Sequence, residues 1–282
     1  LHDGIADTLI SVVDVFPWPD DFLAQAKKSP DRYQGVMGFR PTAGASSDGD
    51  QWTPFTLGKL LGANVAKEAQ PISFAATHLD QARHVCAFFN SEDEEYRVLL
   101  PFIKNGFDCG HKAIHVVSAE RHDRHIGHLA AAGIDTAEAQ RSGQLELRVN
   151  TDTYLRHGRF DQDRMLRMCE HLAGDSAGGP YPRSRIVCQM EWASRHPYCI
   201  HDLIEFEARV NDVWCRHDDT VICVYDLAKF SGDVVMDVMR THPMIIVGGI
   251  LQQNPFFMPP QEFLQELYQR RAEQARTSRT TG

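Results

Sequence analysis

The chain has 282 residues, 43% hydrophobic and 24% charged, with a formal net charge of −9. That balance belongs to a globular protein, and no apolar run approaches the roughly 18 residues of a membrane-spanning helix. An acidic chain also lacks the basic footprint of a duplex reader, so nucleic acid is not an expected partner of this chain alone.

Residues 1–76 read as an N-terminal appendage. Ile5 to Phe16 is apolar and stops at Pro17-Trp18-Pro19, and Pro41 to Asp50 is a small, polar, glycine-containing linker. Phe55 to Ala69 has helical character and resembles the first half of a helix-turn-helix, without a recognition helix after it. Gly58-Lys59 is followed by Leu60, so it is no phosphate loop. No secretory signal is expected at the start. The seven cysteines, Cys86, Cys109, Cys169, Cys188, Cys199, Cys215 and Cys223, are widely spaced with no C-x-x-C. They fit neither a disulfide framework nor a zinc knuckle; Cys86, Cys188 and Cys223 fall in the middle of apolar strands, and the set points to inert buried thiols in a reducing cytoplasm.

From residue 77 a regular alternation begins. His84 to Phe89 is a buried strand. Ser91 and Glu94 make a capping box that opens a helix with Val98, Leu99, Phe102 and Ile103 on one face. Pro101 is expected to kink or divide that helix, and Asn105-Gly106 to end it. Ala113 to Val117 is the next strand. Where many nucleotide-binding folds carry a glycine-rich loop, this chain has Asn90-Ser91-Glu92-Asp93-Glu94-Glu95. The run has no glycine and no lysine, and its carboxylates suit a helix N-terminus while repelling a triphosphate.

The later elements are helix 120–132, strand 145–149, helix 161–173, strand 185–190, helix 201–216, strand 220–225 and helix 233–240. A sixth strand, 244–247, is expected to resume at 249–251, followed by a terminal helix over 260–276. Strands alternating with helices predict an α/β fold, a mostly parallel sheet covered by helices on both faces. Three segments follow: the appendage 1–76, the α/β domain 77–258, and a helix and tail 259–282.

In such sheets ligands bind beyond the carboxyl ends of the strands. Asn90 and Ser91 follow the first strand there, Glu191 and Trp192 the fourth, Tyr225 and Asp226 the fifth, and Gln252, Gln253 and Asn254 the sixth. With His84, which opens the first strand, the candidate ligand-binding residues are His84, Asn90, Ser91, Glu191, Trp192, Tyr225, Asp226 and Asn254. Glu191 and Asp226 are expected to form an acidic, aromatic-walled cleft that accepts a neutral or cationic small molecule and disfavours anions. Their plain structural alternative is capping of the following turns.

His122, His125 and His128 recur at i, i+3 and i+6, a spacing that drifts around a helix and does not converge on one ion. They are expected on a solvated face. No nucleophile elbow and no Ser or Cys with an evident His and acid is present, so neither catalytic residues nor a metal or cofactor is expected.

The series HVCAFF, LLPFIKNGFDCGHKAIHVV, LAAAGID, GQLEL, YLRHGRFD, QMEWA, FEARVNDVW, VICVYDLAKFSG and RTHPMIIVGG over about residues 80–258 resembles the MEDS domain. This is the sensory domain of methanogens, methylotrophs and the dichloromethane dehalogenase repressor. The resemblance implies a RecA/KaiC-like fold without a working phosphate loop, and ligand or signal sensing in regulators. Its family-typical positions here are His84, Pro101-Phe102, Gly106, Glu191, Glu207 with Asn211, Tyr225-Asp226 and His242-Pro243. The expected function is a non-catalytic sensory domain detecting an unidentified small molecule or regulatory protein. A homodimer face on the 260–276 helix is the alternative sensing surface. The competing readings are a KaiC-like ATPase with an unconventional nucleotide site and a repressor that reads DNA through 50–78.

Overall fold

His84–Phe89 (β3) is buried at all six positions because it lies inside a sheet covered on both faces. Its side chains alternate: Val85, Ala87 and Phe89 enter one core, Cys86 and Phe88 the other. The computed structural model describes residues 72–74, 77–79 and 83–280. The appendage over 1–76 and the helix-turn-helix reading of 50–78 therefore lie outside the described residues, apart from Ile72–Phe74 (β1) and Thr77–Leu79 (β2). These two pair antiparallel.

The main sheet has seven strands in the order β11-β10-β3-β9-β8-β4-β5. Lys112–Val117 (β4), Leu145–Val149 (β5), Ser184–Gln189 (β8), Thr220–Asp226 (β9) and Met244–Val247 (β10) run parallel with β3. Ile250–Gln253 (β11) does not continue β10, as the sequence led us to expect; it folds back antiparallel to it. Gly248 and Gly249 have φ of 57° and 77°, the left-handed pair that a two-residue hairpin turn requires.

Glu92–Asp108 (α1), His122–Ala131 (α2) and Thr136–Arg141 (α3) cover one face through Leu99, Phe102, Leu129 and Ala139. Gln162–Gly178 (α5), Ile200–Arg209 (α6), Gly232–Thr241 (α8) and Pro260–Thr280 (α9) cover the other through Met165, Leu203, Val238 and Phe263. Each fully buried side chain of this size contributes roughly 1.5–3 kcal/mol, so the two cores are the main force holding these layers together. Asn150–Tyr154 (α4) and a small hairpin, Leu155–Arg156 (β6) with Arg159–Phe160 (β7), were not expected from the sequence. The hairpin turns on His157 and Gly158, with φ of 52° and 73°. Among the described residues no helix is long and apolar enough to cross a membrane.

Three local expectations need correction. Helix α1 passes through Pro101 undivided and ends at Asp108, not at Asn105-Gly106. Gly106 serves close approach instead: a Cβ there would lie 2.8 Å from Cδ of Arg185. The capping box forms with a shift, since Ser91 Oγ accepts from the Glu94 N–H while the Glu94 carboxylate accepts from the Asn90 N–H. The predicted helix 201–216 breaks at Val210, and Asn211–Trp214 (α7) follows as a separate turn.

Candidate functional site

A cleft of about 160 Å³ opens at the carboxyl ends of β3, β4, β8 and β9. Phe89, Ser91, Ser118, Gln189, Glu191, Tyr225 and Asp226 line it, as the strand-end rule requires. Of the sequence-predicted residues, Ser91, Glu191, Tyr225 and Asp226 thus come together. Asn90 stands beside them, exposed, with its side-chain amide donating to Glu94.

The start of α1 is occupied by the protein's own ion pairs. Arg121 donates to the Glu95 carboxylate at 2.8 Å and lies 3.4 Å from Glu92, which Arg124 also approaches at 3.3 Å. Gln189 donates to the other Glu95 oxygen at 2.9 Å. Burial raises the Glu95 pKa, and the Arg121 charge and hydrogen bond oppose that rise without cancelling it. On the opposite wall Lys229 Nζ lies 2.5 Å from Glu191 and 3.2 Å from Asp226. Burial would push the Glu191 carboxyl up, but the Lys229 hydrogen bond and charge bring it below the ordinary carboxylate range. Arg195 pairs with Glu120 at 3.1 Å.

The lining therefore carries five carboxylates (Glu92, Glu95, Glu120, Glu191, Asp226) against four cations (Arg121, Arg124, Arg195, Lys229). The expected acidic, aromatic-walled cleft is corrected to a nearly balanced one. Lys229, which the sequence reading did not weigh, sits between the two carboxylates. Trp192 is no wall of it: the indole is buried and stacks on Tyr154 with ring centroids 4.8 Å apart. The Tyr225 ring also points away, its hydroxyl donating to Glu207 in the core at 2.8 Å.

Asn254 and His84 lie at the other edge of the sheet. Because β11 runs backwards, Gln253 pairs with Met244 and Asn254 donates to the Met239 and His242 carbonyls. His84 opens β3, and its ring meets Glu207, Cys223 and His242 in a buried cluster. The ligating atoms of these four residues all lie within 4.8 Å of one another. His84 Nε2 is 3.3 Å and His242 Nε2 3.4 Å from the same Glu207 oxygen, and Cys223 Sγ is 3.6 Å from His84 Nε2. Glu207 reaches this position because it follows Leu203 by four residues on the buried face of α6. That was the available signal: a carboxylate on an apolar helix face between Phe206 and Val210.

The expected solvated histidine face on α2 is also corrected. His125 is buried, its Nδ1 2.8 Å from the Tyr96 hydroxyl and its Nε2 2.8 Å from His115 Nδ1. His128 stacks on Tyr96, with ring centroids 3.8 Å apart, and only His122 of the three turns outward beside Asp123. A drifting i, i+3, i+6 series places one member inside, and the middle one is it.

The family model described as MEDS, the methanogen/methylotroph, DcmR sensory domain, matches residues 83–243. The chain belongs to this family, and its domain is a sensory one. A search of curated proteins gave no match.

Proposed function

We propose that the domain senses a small polar molecule at the carboxyl-edge cleft and performs no turnover of it. One observation carries this reading. The place a nucleotide phosphate would need is occupied by the Glu92–Arg121–Glu95 ion pairs, while the space beside it stays open. At about 160 Å³ the cleft is smaller than the roughly 300–1,000 Å³ of drug-sized sites, which favours a ligand of few heavy atoms. Five carboxylates facing four cations favour a neutral or zwitterionic molecule over a polyanion. Lys229, bridging Glu191 and Asp226, is the group such a ligand would meet first. Regulation of a partner protein or of transcription agrees with the family's sensory role, and the partner belongs to the same proposal.

Native mass spectrometry of freshly purified protein tests it. A small non-covalent adduct is expected on the wild type and is expected to be lost in Lys229→Met. Retention of the same adduct by that variant moves the sensing site away from this cleft.

A further inference from the structure

We propose that His84, Glu207, Cys223 and His242 form a tetrahedral site for one divalent transition-metal ion of the zinc class. The proposal rests on the buried cluster and not on the cleft.

The proton positions are set by the neighbours. Asn211 spends its amide N–H groups on the Glu207, Ala208 and Thr241 carbonyls, so its oxygen faces His84 Nδ1 at 3.0 Å and accepts a hydrogen bond from it. His242 Nδ1 lies 2.8 Å from the Val238 carbonyl, which can only accept. Both rings therefore carry hydrogen on Nδ1. In their neutral form both aim an Nε2 lone pair at the same Glu207 oxygen.

Without an ion that arrangement is repulsive. If the rings were instead imidazolium, charge-assisted bonds of about 2.7–2.9 Å would be expected. The separations are 3.3 and 3.4 Å. They fit another geometry. Zinc bonds of about 2.0–2.3 Å to N, O and S place ligand atoms about 3.3–3.8 Å apart along the edges of a tetrahedron. Two of the three Cys223 edges, 3.6 Å to His84 and 3.8 Å to Glu207, fall in the same range, and the edges from His242 to Cys223 and to His84 lie within 4.8 Å.

The surroundings are those of ligands held in place. Each histidine donates its other N–H to an oxygen, and the free Glu207 oxygen accepts from Tyr225 at 2.8 Å. A mixed N, S and O set excludes calcium and magnesium, which take oxygen ligands. With four protein ligands and no exposed member, the site is closed and structural in type. It would tie β3 and β9 to α6 and to the end of α8, and the ion would enter as the domain folds.

The test is metal analysis of the full chain, purified without a chelator or a metal-affinity tag, then refolded under reducing conditions with Zn²⁺ or Co²⁺. One ion per chain is expected, and the cobalt form should show tetrahedral ligand-field bands with a sulfur-to-metal charge-transfer band. Cys223→Ser should abolish the charge-transfer band, and Glu207→Gln should weaken binding at least about a hundredfold, beyond what loss of an outer partner does. Cys109→Ser combined with Cys215→Ser, the two exposed thiols, should leave the spectrum unchanged. A wild-type chain that refolds without taking up either ion overturns the proposal. So does a charge-transfer band that survives Cys223→Ser or disappears with the exposed thiols.

Discussion

Lys229 Nζ sits 2.5 Å from the Glu191 carboxylate and turns what would be a bare acid at the end of β8 into one half of an ion pair. The Glu191 side chain is 5% exposed and that of Lys229 38%, so the pair is sheltered on one side only. Glu191→Gln should therefore cost about 1–3 kcal/mol, less than a fully buried pair, because Lys229 can turn to water. Asp226→Asn, at a half-exposed position, should stay within about 0.5 kcal/mol. Denaturant unfolding of the two variants measures this, and equal losses would contradict the asymmetry.

ATP should neither bind nor be hydrolysed. The first turn of α1 presents Glu92 and Glu95 where phosphates would need free backbone N–H groups, and both are already engaged by arginine. Calorimetry with magnesium and ATP should give no binding heat; a saturable, magnesium-dependent signal would reject the prediction. Arg121→Met should destabilise the domain by about 2–4 kcal/mol, because it strands Glu95 as a buried, unpaired carboxylate.

Acid should weaken the fold through the Tyr96–His125–His115 chain. Burial lowers the His115 pKa to about 4, and burial together with His115 and Arg121 lowers that of His125 to about 2, against an ordinary 6.5. Below pH 6.5 the unfolded chain takes up protons that these two folded rings refuse. Stability is then lost as pH falls from about 6.5 toward 4, by up to about 1.4 kcal/mol per pH unit for each ring. Unfolding curves across that window should be steeper in pH for the wild type than for His115→Gln combined with His125→Gln. Parallel curves would sink the idea.

Gly106→Ala should destabilise despite removing a glycine from a helix. The helix gains about 1 kcal/mol from alanine. Against that, the new Cβ meets Arg185 Cδ at 2.8 Å. Arg185 cannot step aside freely: it donates to the Phe102 carbonyl, to Asn105 Oδ1 and to His111, and its guanidinium lies over the Phe102 ring. An overpacking penalty of about 1–3 kcal/mol should outweigh the gain. A rise in thermal stability would show that Arg185 is looser than its contacts imply.

The strands were legible in the sequence because parallel, doubly covered strands are short apolar runs, and His84–Phe89 and Leu145–Val149 came out to the residue. What was not legible depended on turns and on side-chain direction. Val247-Gly248-Gly249-Ile250 carried a hairpin signal, but a strand resuming after two glycines reads the same way until their φ values are known. That one ambiguity sent Asn254 to the wrong edge. Trp192 and Tyr225 were placed correctly along the chain, yet both rings turn inward, which strand-end position alone does not report. The cluster of His84, Glu207, Cys223 and His242 draws on two strands, a helix and a helix end, so no spacing rule could gather it. The resemblance named three of its members without saying that they meet.

The two-glycine reversal also decides where the C-terminal helix begins its course. Had β11 carried on in the direction of β10, the chain would have left the sheet at its carboxyl edge. Returning instead, it passes Asn254 against Pro243 and Met258 against Arg240, and delivers α9 onto α6 and α8. Arg271 there clasps Glu205 of α6, and Arg270 clasps Asp237 of α8. These are the helices that carry Glu207 and lead into His242. The last helix is thereby clamped onto the two elements that hold Glu207 and His242 in place.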